Sequence, residues 1–493
     1  MIMFAFTLRP VASHLEDAQS HDPQKYVSPT TMLELTNGQI QGYSSDLEDG
    51  RTVHSYKGVP YSEPPEDIYR FEKPTPKAEW DGTLDNTEYG AKCPAWDPVA
   101  DAFNDGVDDC LHYNVFAHSE CMQEPCPVIV LLLPDALSKE DEIKNKYLLQ
   151  KLVVVTVGFR TGILGFLNLG VSKEDAPLNA GFYDIQLALR IIHEEISKFG
   201  GDAEKITVIS EVSNIVEYLM ASDSKYFSKA VTVTSSAPRL NSMVNSEETQ
   251  KVVTELGCTN DDIEGSSNCL RKAKLEDLIK PESVVLAPES DATALPFSNL
   301  EAMAGLWKEM PLVFINKLPE TTPFALDAMC KMYSPLFSFK QSVEDCEASY
   351  DDKMVLLKDV MTAYGLKIRE MNNNNGVFVE LSADADLADV YIKFATEESD
   401  NAATQEALLA AGAQVLESSE GAEKWLQSPA ERLSKRHLLL KQAHRHRRYV
   451  NPQSNEQMAL YLCMTVVFLL VTVVAVLAVV FYRRQSRVTV ELV

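Results

Sequence analysis

Nine cysteines are the residues whose spacing first suggests chemistry. Cys93, Cys110, Cys121, Cys126, Cys258, Cys269, Cys330 and Cys346 fall as four local pairs, and Cys463 is left over. Thiols that pair off along a chain suggest four loop-closing disulfides and an oxidising compartment, because reduced cytosolic cysteines have no reason to do so. Metal binding is the competing chemistry, but the chain has neither a Cys-x-x-Cys pair nor a His-rich partner motif. No metal or other cofactor is implied. The acidic run Asp97 to Asp109, with Asp101, Asp105 and Asp108, offers oxygen ligands for calcium. Its spacing is not that of an EF-hand, and a solvated loop is the plainer reading. Near the end of the chain, Arg445-His446-Arg447-Arg448 fits a dibasic proteolytic pattern at Arg445, Arg447 and Arg448, or else a basic segment touching lipid headgroups. The terminal Glu491-Leu492-Val493 has the form of a ligand for a cytoplasmic PDZ protein, adding a strand to the groove through its carboxylate and Val493.

These residues sit in a chain of 493 residues with 45% hydrophobic content, enough to bury a large core. A formal net charge of −27 opposes binding to nucleic acid, whose phosphates need a concentrated Lys/Arg surface. From Met458 to Tyr482 runs an uncharged, Val/Leu-rich stretch that, at ~1.5 Å per residue, exceeds the ~30 Å hydrocarbon core of a bilayer. It reads as a single transmembrane helix, with Cys463 inside it and a short cytoplasmic tail, 483–493, beyond. Its orientation is open on charge alone, since Arg483, Arg484 and Arg487 follow it while Lys441, Arg445, Arg447 and Arg448 precede it. Met1 to Phe6 is too short an apolar run for an ordinary signal peptide, which leaves a degenerate signal or a tail anchor. Cysteine pairing favours placing the large domain outside, at the plasma membrane. The absence of an Asn-x-Ser/Thr sequon points the other way.

Residues 1–30 read as a leader or linker, and Met32 to Gly42 as a hairpin-like start around Asn37-Gly38. Short β-branched runs at Val128–Leu133, Leu152–Val157, Ile206–Ile209 and Ala230–Thr234 predict strands. Between them, Ile185, Leu189, Ile192 and Ile196 recur on one face of a helix expected over Gly181–Phe199. Alternating strand and helix predicts an α/β fold with a largely parallel central sheet over 31–390. After about Val390 the composition turns to Ala, Glu and Ser, so 391–457 is expected to be a stalk with a basic juxtamembrane part, before the helix at 458–482.

Three ordered blocks carry a resemblance: Val153-Val-Val-Thr-Val-Gly-Phe-Arg-Thr-Gly-Ile-Leu-Gly-Phe-Leu167, Ala180-Gly-Phe-Tyr-Asp-Ile-Gln-Leu-Ala-Leu-Arg190 and Lys198-Phe-Gly-Gly-Asp-Ala-Glu-Lys-Ile-Thr-Val208. With Tyr56-Lys-Gly-Val-Pro-Tyr61 and Asp108-Asp-Cys-Leu-His-Tyr-Asn-Val115 upstream, the stretch from about Leu33 to about Leu381 resembles the type-B carboxylesterase/cholinesterase family. The resemblance implies an α/β-hydrolase sheet, with the nucleophile elbow on the turn after Ile206–Ile209. It also implies that Cys93 pairs with Cys110, and Cys258 with Cys269. Pairing of Cys121 with Cys126 and of Cys330 with Cys346 follows from proximity alone.

A working elbow of this kind is Gly-x-Ser-x-Gly, and here the place reads Ser210-Glu211-Val212-Ser213-Asn214. Val212 stands at the nucleophile position with an aliphatic side chain, and a β-branched residue tolerates φ > 0 badly, so a relaxed turn is expected. Sliding the register to Ser213 would put Glu211 and Ile215 at the glycine positions. The oxyanion turn, glycine-rich in the family, reads Leu133-Pro134-Asp135-Ala136, where Pro134 has no N–H and the Asp135 carboxylate would repel an oxyanion. No histidine occurs between His193 and His437, and His437, His444 and His446 sit in the basic stretch near the membrane. Glu320 lies near the family's acidic member as a possible remnant. The expectation is therefore a protein that is not an enzyme, similar to the cholinesterase-like adhesion molecules such as neuroligins, neurotactin and gliotactin. It would bind a cell-surface protein, either another protein or a second copy of itself. The alternatives are a carboxylic ester hydrolase or apolar-ligand-binding protein using a divergent site, and a structural or trafficking protein of internal membranes.

Overall fold

The computed structural model describes residues 31–426 apart from 48, 98–99, 134–139, 171–176, 213, 235–242, 261, 280–285, 287, 291–294, 296–299, 320–321, 323, 335, 338–342, 382–385 and 397–400. The leader, the basic stretch, the apolar segment 458–482 and the tail lie outside the described residues, as do Cys463, His437, His444, His446, the dibasic arginines and Glu491-Leu492-Val493. Among the described residues no helix is long and apolar enough to cross a membrane.

Ten strands form the main sheet. In chain order they are β1 (Tyr43–Asp46), β2 (Thr52–Pro60), β3 (His112–His118), β4 (Cys126–Leu132), β5 (Val153–Val157), β6 (Gly201–Ser210), β7 (Lys229–Thr234), β8 (Leu312–Lys317), β9 (Gly376–Leu381) and β10 (Gln414–Val415). Their spatial order is β10-β9-β8-β7-β6-β4-β5-β3-β2-β1. The six central strands, β9 through β5, run parallel. The margins are antiparallel: β10 on β9, and β3, β2 and β1 beyond β5. The sheet is thus mixed where a largely parallel one was expected. Only β1 and β2 are joined by a short turn; the other marginal strands pair with partners far along the chain, and their runs carry no direction that sequence alone reveals. A separate hairpin pairs Met32–Leu35 with Gly38–Gln41, as the Asn37-Gly38 turn signal predicts.

The β-branched runs form the buried strands because both sheet faces are covered, so every residue of β5 is buried. One face packs under the helix α1 (Ala180–Glu195), through Phe182, Ile185, Leu189 and Ile192. The other face is covered by Tyr147, Leu148, Tyr391 and Phe394. The end of the expected Gly181–Phe199 helix tightens into a 3-10 turn over Ile196–Phe199. Gly165 and Gly181 face each other across the Arg160 carbonyl, and a Cβ on either would collide with that oxygen. This close approach lets the helix at Gly162–Phe166 pack on α1.

Helix α2 (Ile215–Ser222) follows β6, and α3 (Lys353–Met371) and α4 (Ala388–Thr396) complete the labelled helices. The compact unit extends to Leu426, past the expected boundary at 390. Beyond 390 the chain still adds the edge strand β10 and a helix at Glu420–Leu426, whose Ala422 and Trp425 are buried. Alanine and glutamate are good helix formers whether or not the helix is packed, so composition alone mimics a stalk. All four disulfides are present: Cys93–Cys110, Cys121–Cys126, Cys258–Cys269 and Cys330–Cys346.

Candidate active site

In open α/β sheets ligands bind outside the carboxyl ends of the parallel strands, and β6 delivers its turn there. Ser210 ends β6 in register with Leu132 of β4 and Thr232 of β7. The turn then enters α2 through Asn214, whose backbone is left-handed at φ 69°, ψ 0°. A strand, a tight turn with one left-handed residue and a helix are the mechanical parts of an elbow. Asn is, after glycine, among the residues that accept this conformation most readily. Val212 is not among the residues with positive φ, so the left-handed bend sits at the second glycine position rather than at the nucleophile position.

Ser210 takes the place of the first glycine and stitches the turn. Its Oγ donates toward the carbonyls of Leu132 (3.3 Å) and Val212 (3.2 Å) and accepts from Val212 N–H at 3.0 Å. That hydroxyl is buried and committed to the main chain. Val212 packs half-buried against the core on the α1 side. Glu211 is exposed, and its Oε1 accepts from the Tyr391 hydroxyl of α4 at 3.3 Å. Asn214 Oδ1 is buried without a hydrogen-bond partner.

Sequence reading missed a buried titratable group on the helix that leaves this turn. Glu217 on α2 is fully buried and accepts from Thr232 Oγ1 of β7 at 3.3 and 3.2 Å. Desolvation pushes its carboxyl up to about 7, against the hydrogen bond from Thr232 that lowers it. The available signal was one acid inside the apolar run Ile215-Val-Glu-Tyr-Leu-Met220, since an unpaired carboxyl is almost never fully buried without a reason. A buried carboxyl that titrates near neutrality can hold or release a proton, the property general acid–base chemistry needs.

Of the predicted site residues, Val212 lies on the elbow, while Pro134, Asp135, Ala136 and Glu320 lie outside the described residues. The described histidines stand elsewhere: His54 bonds Ser44 at 2.8 Å, and His193 meets the Tyr226 ring edge-on. Among the described residues no cluster of three or more His, Cys, Asp or Glu is placed to hold a metal. Asp108 of the acidic loop holds the Arg70 guanidinium at 3.2 and 2.5 Å.

Residues 29–413 match the model of the carboxylesterase family, well beyond the Leu381 limit of the motif resemblance. The chain belongs to the carboxylesterase family. Acetylcholinesterase of Danio rerio is 28% identical over 292 residues, 54% of this chain and 46% of that protein. Para-nitrobenzyl esterase of Bacillus subtilis (strain 168) is 32% identical over 257 residues, 49% of this chain and 50% of that protein. Esterase B1 of Culex pipiens is 28% identical over 263 residues, 51% of this chain and 48% of that protein. The chain spans about half the length of these curated relatives. Membership in a carboxylesterase family, among relatives named as esterases, overturns the expectation that the chain is not an enzyme. That expectation rested on residue types at three places in the sequence. Catalytic constellations are recognised by geometry and role rather than by sequence position, and unrelated arrangements of groups perform the same chemistry.

Proposed function

We propose that this carboxylesterase-family protein takes carboxylic esters, or apolar ligands of similar shape, at the carboxyl ends of its parallel strands through a divergent site. The reading is carried by the preserved elbow, a strand-turn-helix with its left-handed residue at Asn214, inside a family match covering 29–413. Position 212 offers no hydroxyl, so the groups that act are others, and the buried Glu217 carboxyl behind the turn is a proton-exchanging candidate. The test is saturable turnover or binding of p-nitrophenyl esters of graded acyl length by the full chain, compared with Val212→Trp. The indole should block the site and abolish the signal. If no ester is bound or cleaved by the parent chain, or if Val212→Trp leaves the signal unchanged, the proposal fails.

A second reading, cell-surface protein binding or adhesion in the manner of the neuroligin-like group, draws support from the four disulfides, which fit an oxidising compartment. It adds the apolar stretch 458–482 as an anchor that holds the large domain outside the plasma membrane. Surface labelling of intact cells reads this directly: a domain protected from an impermeant reagent rules it out.

A further inference from the structure

Away from the elbow, the loop 62–76 shapes a hollow of about 640 Å³ whose lining includes four consecutive exposed residues, Glu66, Asp67, Ile68 and Tyr69. Ile68 and Tyr69 remain 66% and 57% exposed, an apolar pair with no core to join. The turn that presents them stands on a pinned base. Arg70 bonds Asp108 and donates to the carbonyls of Arg271 (3.0 Å) and Ala273 (2.7 Å), while Arg271 returns a bond to the Arg70 carbonyl at 3.1 Å. Asp67 at φ 51° and Phe71 at φ 73° bracket the turn, left-handed backbones that such residues keep only when their surroundings over-determine them. An apolar pair on so fixed a base is already in shape to be covered, so little ordering opposes its burial.

Charge selects the occupant. Glu66 and Asp67 stand beside the apolar pair, and neither side chain forms an ion pair with a described cation. Glu63, on the same lining, holds the Lys77 ammonium at 2.8 Å and accepts from the Ala78 N–H at 2.9 Å. Lys73 is the one cation among the described lining residues, and its ammonium lies over the Tyr183 ring of α1, 4.0 Å from the centroid. Three carboxylates against one ammonium leave the hollow acidic, and the whole chain has the same sign at −27. The local and the long-range field therefore agree: both draw cations and both repel anions. That sign disfavours an anionic bilayer, a nucleic acid and a second copy of this chain alike.

We propose that this hollow docks a basic segment of a partner protein, with arginine side chains against Glu66 and Asp67 and an apolar side chain against Ile68 and Tyr69. Arginine suits the place better than lysine, because its planar fork donates to carboxylates in fixed directions. Contact with the apolar pair, Tyr69 above all, supplies affinity, and the two free acids decide which segment is accepted. This inference does not depend on the ester reading, because the hollow uses none of the elbow residues.

The test uses the full chain and fluorescence anisotropy with a labelled Gly/Ser nonapeptide carrying two leucines and two arginines, and with counterparts that have Gln or Glu in place of Arg. The Arg peptide should bind saturably and weaken about tenfold on Glu66→Gln plus Asp67→Asn, losing most of its response to added salt. Asn keeps the left-handed backbone at 67, so the variant changes charge alone. Ile68→Ser with Tyr69→Ser should weaken the Arg and Gln peptides alike. Glu347→Gln with Asp351→Asn, outside the lining, should leave binding unchanged. Ester binding should be the same in every one of these variants, which separates failure here from failure at the elbow. The proposal is overturned by absence of saturable binding, by equal or tighter binding of the Gln or Glu peptide, or by binding that survives neutralisation of Glu66 and Asp67. An equal loss in the Glu347/Asp351 variant overturns it in favour of bulk charge, and a dimer of the chain that dissociates in the Ile68/Tyr69 variant overturns it in favour of a second copy.

Discussion

Two buried carboxyls on neighbouring helices meet the same problem in opposite ways. Asp184 of α1 is fully buried and paired with Arg160, whose Nε and Nη2 donate at 2.8 and 2.7 Å and whose backbone N–H donates at 3.1 Å. Glu217 of α2 is equally buried, but its side chain is met by the neutral Thr232 hydroxyl, and its carboxyl rises to about 7. A buried acid is thus either matched by a cation in a fixed fork or kept near its neutral form. The first solution clamps the approach to Gly165 and Gly181 and serves the scaffold. The second leaves a proton mobile beside the elbow.

The largest break in that comparison should come from removing the clamp. Arg160→Ala strands a buried carboxylate and should cost about 3–5 kcal/mol, read as a drop in the urea midpoint. A loss below about 1 kcal/mol would show that the pair is dispensable. Glu217→Gln should act in a pH-dependent way. The folded carboxyl lies above its ordinary value, so its contribution to stability is complete below about 4.5 and is lost as pH rises through about 7. The Gln variant should therefore match the parent at pH 4.5 and exceed it by roughly 3 kcal/mol at pH 9. Equal midpoints at both pH values would remove Glu217 as a titrating group. The smallest effect is expected at the turn: Asn214→Gly relieves the left-handed backbone and deletes an unpartnered oxygen, raising stability by about 1 kcal/mol. A destabilised Gly variant would mean that the Asn side chain does structural work at the elbow.

Much of the core was legible because β-branched runs and the Ile185/Leu189/Ile192 spacing report burial directly. Val153–Val157 and Lys229–Thr234 appear almost where the pattern placed them. The last third was not. Gln414–Val415 is too short a strand to announce itself, and only pairing with Val379 and Glu380 makes it one. The elbow was located from its motif, whereas Glu217 was passed over because an acid in a helix ordinarily faces water. What it faces is Thr232 on a strand that follows in the chain.

By itself the sequence determined the elements, the local disulfides and the family, since each depends on residue types close together along the chain. Tertiary structure alone decided which carboxyl meets a guanidinium and which meets only a hydroxyl. Those outcomes depend on distances between segments far apart in sequence, which local periodicity does not encode.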